Sequence, residues 1–181
     1  MLEVDSHWDR WEAARRGDCG ISCVCLYDTD TFRYHTYAAK PDGDWDDRDI
    51  DALFEHLNSA DVLVGFNSVA HDTPACIGYF DRDITPEHYD LMTEVWKGLG
   101  TRAKGYGLGP ICERLGLGKK NLKHNESAPQ LYADGRFGHL IDYCIGDVHL
   151  TRNLANHINT HGHILSPLHE PVPVNPLGVP A

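Results

Sequence analysis

The chain has 181 residues, 41% of them hydrophobic and 24% charged, with a formal net charge of −11. That length sets one domain, or one domain with a tail, and is enough to bury a proper core. No run of about 18 apolar residues is present, so no transmembrane helix is expected. Glu3 and Asp5 stand where a secretory signal would carry basic residues, and a cytoplasmic location is expected.

Met1 to Asp5 reads as a short strand, followed by a polar loop from Trp8 to Gly20. Ile21 to Tyr27 and Phe32 to Tyr37 read as strands joined by Asp28-Thr29-Asp30-Thr31, a turn-forming cluster that predicts a hairpin. Ile50, Leu53, Phe54 and Leu57 recur at helical spacing over Asp46 to Asn58, with aspartates suited to the positive N-terminal end. Val62 to Phe66 is a continuous apolar run, predicting a strand buried on both faces. A helix is expected to begin around Thr73-Pro74.

Tyr89 to Met92 predicts a short strand or a helix start leading into Thr93 to Leu99. Leu108, Ile111, Cys112 and Leu115 mark a short helix within Gly105 to Gly118, and Lys119 to Gly135 reads as a polar connector. Gly138 to Ile158 is the longest predicted helix. Five of the ten prolines fall in residues 166–181, a tail expected to be extended and poorly ordered, or docked on a surface. This order of elements predicts an α/β layer, a mixed sheet with helices packed on it.

The cysteines lack a Cys-x-x-Cys pair and read as buried reduced thiols. His161-Gly162-His163 is a local histidine pair, read as part of a solvated tail. Charge is uneven: Asp42, Asp44, Asp46, Asp47, Asp49 and Asp51 crowd one segment, and Lys97, Arg102, Lys104, Arg114, Lys119, Lys120 and Lys123 another. The net negative charge argues against bulk attraction to nucleic acid, but the basic stretch supplies a local field for a polyanion or, equally, a solvated basic surface.

Three acidic stations punctuate the chain. Tyr143 and Asp147 lie four apart, on one face of the long predicted helix. Asp72 follows the strand Val62 to Phe66 and Asn67. Glu3, Asp5 and His7 alternate along the first strand and so face one side. Together the stations suggest a carboxylate metal centre. Each also has a plainer reading: Asp72 as a helix cap, Asp147 as a surface carboxylate paired with Arg152, and Asp5 as a strand-end residue.

These motifs carry a family resemblance. Val64-Gly65-Phe66-Asn67-Ser68-Val69-Ala70-His71-Asp72-Thr73-Pro74 is similar to the strand, asparagine, aromatic-Asp-x-Pro pattern of the DEDD-superfamily 3′→5′ exonucleases, with His71 at the usual aromatic. Asp142-Tyr143-Cys144-Ile145-Gly146-Asp147-Val148 resembles the Tyr-x-x-x-Asp helix of the tyrosine-bearing (DEDDy) subgroup. The chain looks most like the proofreading domains of phage and family A DNA polymerases, over about residues 1–160.

The resemblance implies a ribonuclease H-like mixed β-sheet flanked by helices, as one exonuclease-like domain over residues 1–165 with the tail 166–181 outside it. It also implies hydrolysis of phosphodiester bonds at single-stranded DNA or RNA 3′ ends by two divalent cations, Mg²⁺ or Mn²⁺. Asp5 would bridge the ions, and Asp147 with His7, or Glu3 in its place, would hold the one that activates water. Asp72 would hold the other ion and Tyr143 would orient the attacking water. Asn67 would place the substrate end; independently of the resemblance, the basic stretch with Lys104 and Lys119 offers contacts to phosphates, and Trp8 and Trp11 read either as stacking on a terminal base or as covering a core edge.

The partner expected from this resemblance is a separate DNA polymerase or replication protein, with no membrane. The first station departs from the family, since Asp-x-Glu is usual and His7 replaces the glutamate. Imidazole is a poorer partner for Mg²⁺ than for Mn²⁺ or Zn²⁺, leaving altered metal preference, weak activity or a silent nucleic-acid- or partner-binding domain as alternatives. A ribonuclease acting on small oligonucleotides is a further one.

Overall fold

The hairpin predicted near the N-terminus forms as β1 (Cys23–Asp28) and β2 (Arg33–Ala38), a two-stranded sheet in this computed structural model, which describes residues 20–121 and 127–178. Its turn is fixed by Asp28, whose carboxylate accepts from the backbone N–H of Asp30 at 2.8 Å and from the Thr31 hydroxyl at 2.7 Å. The strand expected over residues 1–5, with Glu3, Asp5, His7 and Trp8, lies outside the described residues.

After the hairpin come α1 (Asp47–Asn58), β3 (Val62–Gly65), α2 (Asp72–Phe80), β4 (Glu87–Asp90), α3 (Leu91–Leu99) and α4 (Leu108–Arg114). The chain continues through α5 (Ala128–Ala133), α6 (Phe137–His161), β5 (His163–Leu165) and β6 (Pro171–Pro173). The strands pair as β1 with β2, β3 with β4 and β5 with β6, so the fold is mixed α/β with small sheets. The described residues divide into two compact units, one of residues 20–24, 37–63 and 67–88, the other of 25–36, 64–66 and 89–178.

In the first unit, Asp46 caps α1 by accepting from Arg48 N–H, and Asp47 and Asp49 occupy its positive first turn. The acidic run thus serves the start of a helix. Leu53, Phe54 and Leu57 are buried, and Phe80 of α2 meets the rings of Trp45 and Phe54 edge-on at 5.0 and 5.7 Å. Trp45 anchors the preceding loop by donating from Nε1 to the Ile21 carbonyl.

The second unit is organised by α6. Leu150, Leu154 and Ile158 lie on one stripe and are buried together with Leu91 and Val95 of α3, Ile111 and Cys112 of α4, and Ile164 of β5. Asp90 ends β4 and caps α3, accepting from Met92 and Thr93 N–H, so the stretch from Tyr89 is both strand end and helix start.

Two expectations are corrected here, and a third is decided between its two alternatives. β3 is not buried on both faces: none of its residues is fully buried and Val64 is 39% exposed, since among the described residues it pairs with β4 alone. The polar connector contains α5, started by Ser127 accepting from Gln130 N–H with Pro129 in its first turn, and it buries Leu131. The proline-rich segment is docked, because β6 pairs antiparallel with β5 through Ile164 opposite Val172, and Val172 and Val174 join the core. Prolines at both ends of β6 are tolerated on a short strand with one partner.

Gly98 on α3 permits this docking. A Cβ there would stand 1.8 Å from the Pro173 carbonyl oxygen. In an open helix Gly→Ala stabilises by about 1 kcal/mol. Here Gly98→Ala is expected to destabilise by about 1–3 kcal/mol through overpacking against backbone, read as a lower denaturant midpoint of the full chain.

Candidate active site on the long helix

Tyr143 and Asp147 sit on α6, in the second unit, and one lysine joins them. Lys120 Nζ donates to Asp147 Oδ2 at 2.7 Å and to the Tyr143 hydroxyl at 3.2 Å, and lies 5.3 Å from the Tyr143 ring centre. The i, i+4 spacing therefore does bring phenol and carboxylate to one charged group. Asp147 Oδ1 is buried and has no hydrogen-bond partner among the described residues. Its backbone carbonyl accepts from Thr151 Oγ1 at 2.9 Å.

The electrostatics follow from half-burial around a charge. Burial raises the Tyr143 pKa above the ordinary 10.0 and the Asp147 charge raises it further, while Lys120 pulls it back without prevailing. The phenol stays protonated at neutral pH. For Lys120, burial disfavours the ammonium, yet the hydrogen bond and charge of Asp147 outweigh it and the pKa rises above 10.5. Below α6, burial followed by the Asp147 charge pushes the Cys112 thiol up to about 12, so it is a packing group rather than a nucleophile.

A groove of about 460 Å³ runs beside this cluster, between Gly118, Lys119 and Asn121 on one side and Asp142, Gly146 and His149 on the other. Gly146 makes the approach of Asn121 possible, because a Cβ there would stand 2.7 Å from Asn121 Nδ2. Tyr34 lines the same groove and its hydroxyl shares a 3.0 Å hydrogen bond with His149 Nδ1. Arg152 does not pair with Asp147; its guanidinium covers the Tyr27 and Tyr34 rings at 4.6 and 5.7 Å.

The remaining expected residues are distributed as follows. Asp72 opens α2 in the first unit, and the cap position before it belongs to His71, whose side chain makes no capping hydrogen bond. Asn67, also in the first unit, holds φ of 65° between β3 and α2, a left-handed conformation that asparagine tolerates. Glu3, Asp5, His7 and Trp8 lie outside the described residues. Lys104 and Lys119 are exposed in the second unit, and Lys119 lines the groove.

Much of the basic stretch is engaged internally. Lys97 bonds Glu94 at 2.7 Å, Arg102 covers Trp96 at 4.5 Å, and Arg114 donates from Nε to the Leu165 carbonyl. Lys120 is the functional candidate that sequence reasoning placed only within a basic run; its neighbour Lys119 was the one singled out. Neither sequence periodicity nor spacing reveals which of two adjacent lysines turns toward α6.

Divalent-cation chemistry fits this cluster in part. The buried, unpartnered Asp147 Oδ1 is a hard oxygen of the right kind, and Oδ2 is already neutralised by Lys120. Among the described residues, no group of three ligand-type side chains with atoms within 4.8 Å includes Asp147. The second unit also brings Cys25 and Cys144 within that distance, and separately Asp28 and His35; neither pair contains an expected site residue.

No family model and no curated protein matches the sequence. Among solved structures, the chain is similar to the family B DNA polymerase from the hyperthermophilic archaeon Pyrobaculum calidifontis, with a TM-score of 0.55 and 18% identity over 71% of this chain. The likeness is one of fold. The chain corresponds to 20% of that polymerase's length. No helix among the described residues is long and apolar enough to cross a membrane.

The Lys120 shift has a defined pH signature. A pKa raised on folding contributes stability that is complete below the unfolded value near 10.5 and is lost as pH rises through the higher folded value. Wild type is expected to lose stability relative to Lys120→Met as pH rises past the unfolded value of 10.5, measured as the difference between their urea midpoints; a constant difference would remove the Asp147 contact from the account.

Proposed function

We propose that the protein is a metal-dependent 3′→5′ exonuclease that hydrolyses phosphodiester bonds at single-stranded nucleic-acid ends. The observation that carries this reading is the Lys120 ammonium held between the Tyr143 hydroxyl and Asp147, beside a carboxylate oxygen with no other partner. The fold likeness to a DNA polymerase and the Tyr-x-x-x-Asp motif support it from two further directions.

Asp147 would serve as a cation ligand through Oδ1; Asp5, His7 (or Glu3) and Asp72 are the further ligands that the family resemblance implies. Bound Mg²⁺ or Mn²⁺ supplies charge neutralisation and an activated water. Tyr143, kept protonated by burial and by Asp147, donates a hydrogen bond that orients the water instead of removing its proton. Lys120 places a positive charge where negative charge develops on the phosphoryl oxygens. Lys119 would hold a phosphate along the groove, and Lys104 one further from the cut; Trp8 and Asn67 would seat the terminal nucleotide.

One observation favours the non-catalytic alternative, a nucleic-acid-binding domain of the same fold. The Lys120 ammonium competes with a divalent ion for Asp147 Oδ2. The two readings separate on a 5′-labelled single-stranded oligonucleotide incubated with Mg²⁺ or with Mn²⁺. Progressive shortening from the 3′ end is expected, lost in Asp147→Ala and slowed by about 10²-fold in Lys120→Ala. No shortening with either ion, alongside retained binding of the oligonucleotide, would establish the binding domain instead.

A further inference from the structure

Three histidines converge at the far end of α6, away from every residue assigned above. His157 and His161 lie one turn apart on the helix, and His163 opens β5 beyond the Gly162 turn. Their ring centres are 4.5 Å (157 to 161), 5.7 Å (157 to 163) and 6.2 Å (161 to 163) apart. Three imidazoles on one tetrahedral ion, with metal–nitrogen distances of about 2.0–2.1 Å, place their ring centres roughly 5 Å apart. The spacing of the rings is therefore that of a ligand set.

The hydrogen bonds point the same way. His163 Nδ1 lies 3.0 Å from the His161 carbonyl oxygen, which can only accept, so Nδ1 carries the proton and Nε2 holds the lone pair. That is the tautomer of a ligating histidine steadied by a backbone carbonyl. His157 Nε2 is buried without a hydrogen-bond partner.

We propose that His157, His161 and His163 form a binding site for a borderline transition-metal ion of the Zn²⁺ class, the fourth position being left to water. As the rings stand, their nitrogens are not all within 4.8 Å of one another. Capture therefore turns a ring, and His161, exposed on the last helical turn, is the one free to move. Imidazole donors select Zn²⁺, Ni²⁺ or Cu²⁺ over Mg²⁺, so this site and the proposed carboxylate site take different ions.

The position gives the ion a mechanical role. Gly162, left-handed with φ of 67°, ends α6, and its carbonyl accepts from Val174 N–H at 2.9 Å. An ion on His157, His161 and His163 would tie the helix end to β5 across this turn. It would stabilise the second unit by RT ln(1 + c/Kd), where c is the free ion concentration, an amount that rises with that concentration.

The test uses the full chain stripped of metal by a chelator and titrated with Zn²⁺, reading stoichiometry by calorimetry and the thermal midpoint by circular dichroism. Wild type is expected to bind Zn²⁺ with a rise in midpoint, and His161→Gln, an exposed substitution that spares the fold, to bind at least tenfold more weakly with the rise abolished. Asp147→Asn is expected to keep both. The proposal is overturned by His161→Gln and His163→Gln binding as wild type does, by Zn²⁺ binding that depends on Asp147 alone, or by no binding at all. Because the readout is Zn²⁺ binding and not cleavage, failure here leaves the exonuclease reading standing, and the reverse also holds.

Discussion

Leu150, Leu154 and Ile158 bury one stripe of a 25-residue helix, and nearly everything else in the second unit takes its place from that seam. The stripe packs against α3, α4 and the C-terminal strands, which fixes the rotation of α6 about its axis. Rotation decides which side chains meet. With the apolar stripe inward, Tyr143 and Asp147 are turned toward the loop that carries Lys120, and the same register sets His157 and His161 beside β5. A helix is a stiff rod with 3.6 residues per turn, so one packed face dictates the address of every other side chain.

The Tyr143–Lys120–Asp147 cluster also shows how a site can be charged and still quiet. Lys120 offsets the carboxylate it needs, and the half-buried phenol remains neutral because burial and Asp147 together outweigh the lysine. The wider basic stretch is quieter still, since its arginines and Lys97 cover aromatic rings, bond a carbonyl or pair with glutamate. Electrostatic attraction along this surface therefore falls to Lys104 and Lys119 among the described residues.

Helical periodicity and turn chemistry were legible before any coordinates. The apolar set of α1, the Asp28 hairpin turn and the length of α6 all follow from residue spacing. α5 was signalled by Ser127-Ala128-Pro129-Gln130, a capping sequence hidden inside a polar stretch, and polarity alone misled. The docking of residues 166–174 was one of two readings, left open because prolines dominate their composition; the two valines that bury, Val172 and Val174, alternate in strand register between them. The pairing of Tyr143 with Asp147 was readable from four-residue spacing. Lys120 was not, because a contact 23 and 27 residues away along the chain leaves no local pattern.

The position of Val172 and Val174 in the core has a consequence for the order in which the chain can assemble. Helix α3 begins at Leu91, yet its buried face is covered by residues that follow it by some eighty positions. Until those residues are available, Leu91 and Val95 lack their final cover, and the α3–α4–α6 layer is left with an open apolar flank. Because β5 and β6 follow directly on α6, their cover over α3 depends on where α6 is packed. A three-residue strand thus completes a core whose other members lie up to some eighty positions earlier in the chain.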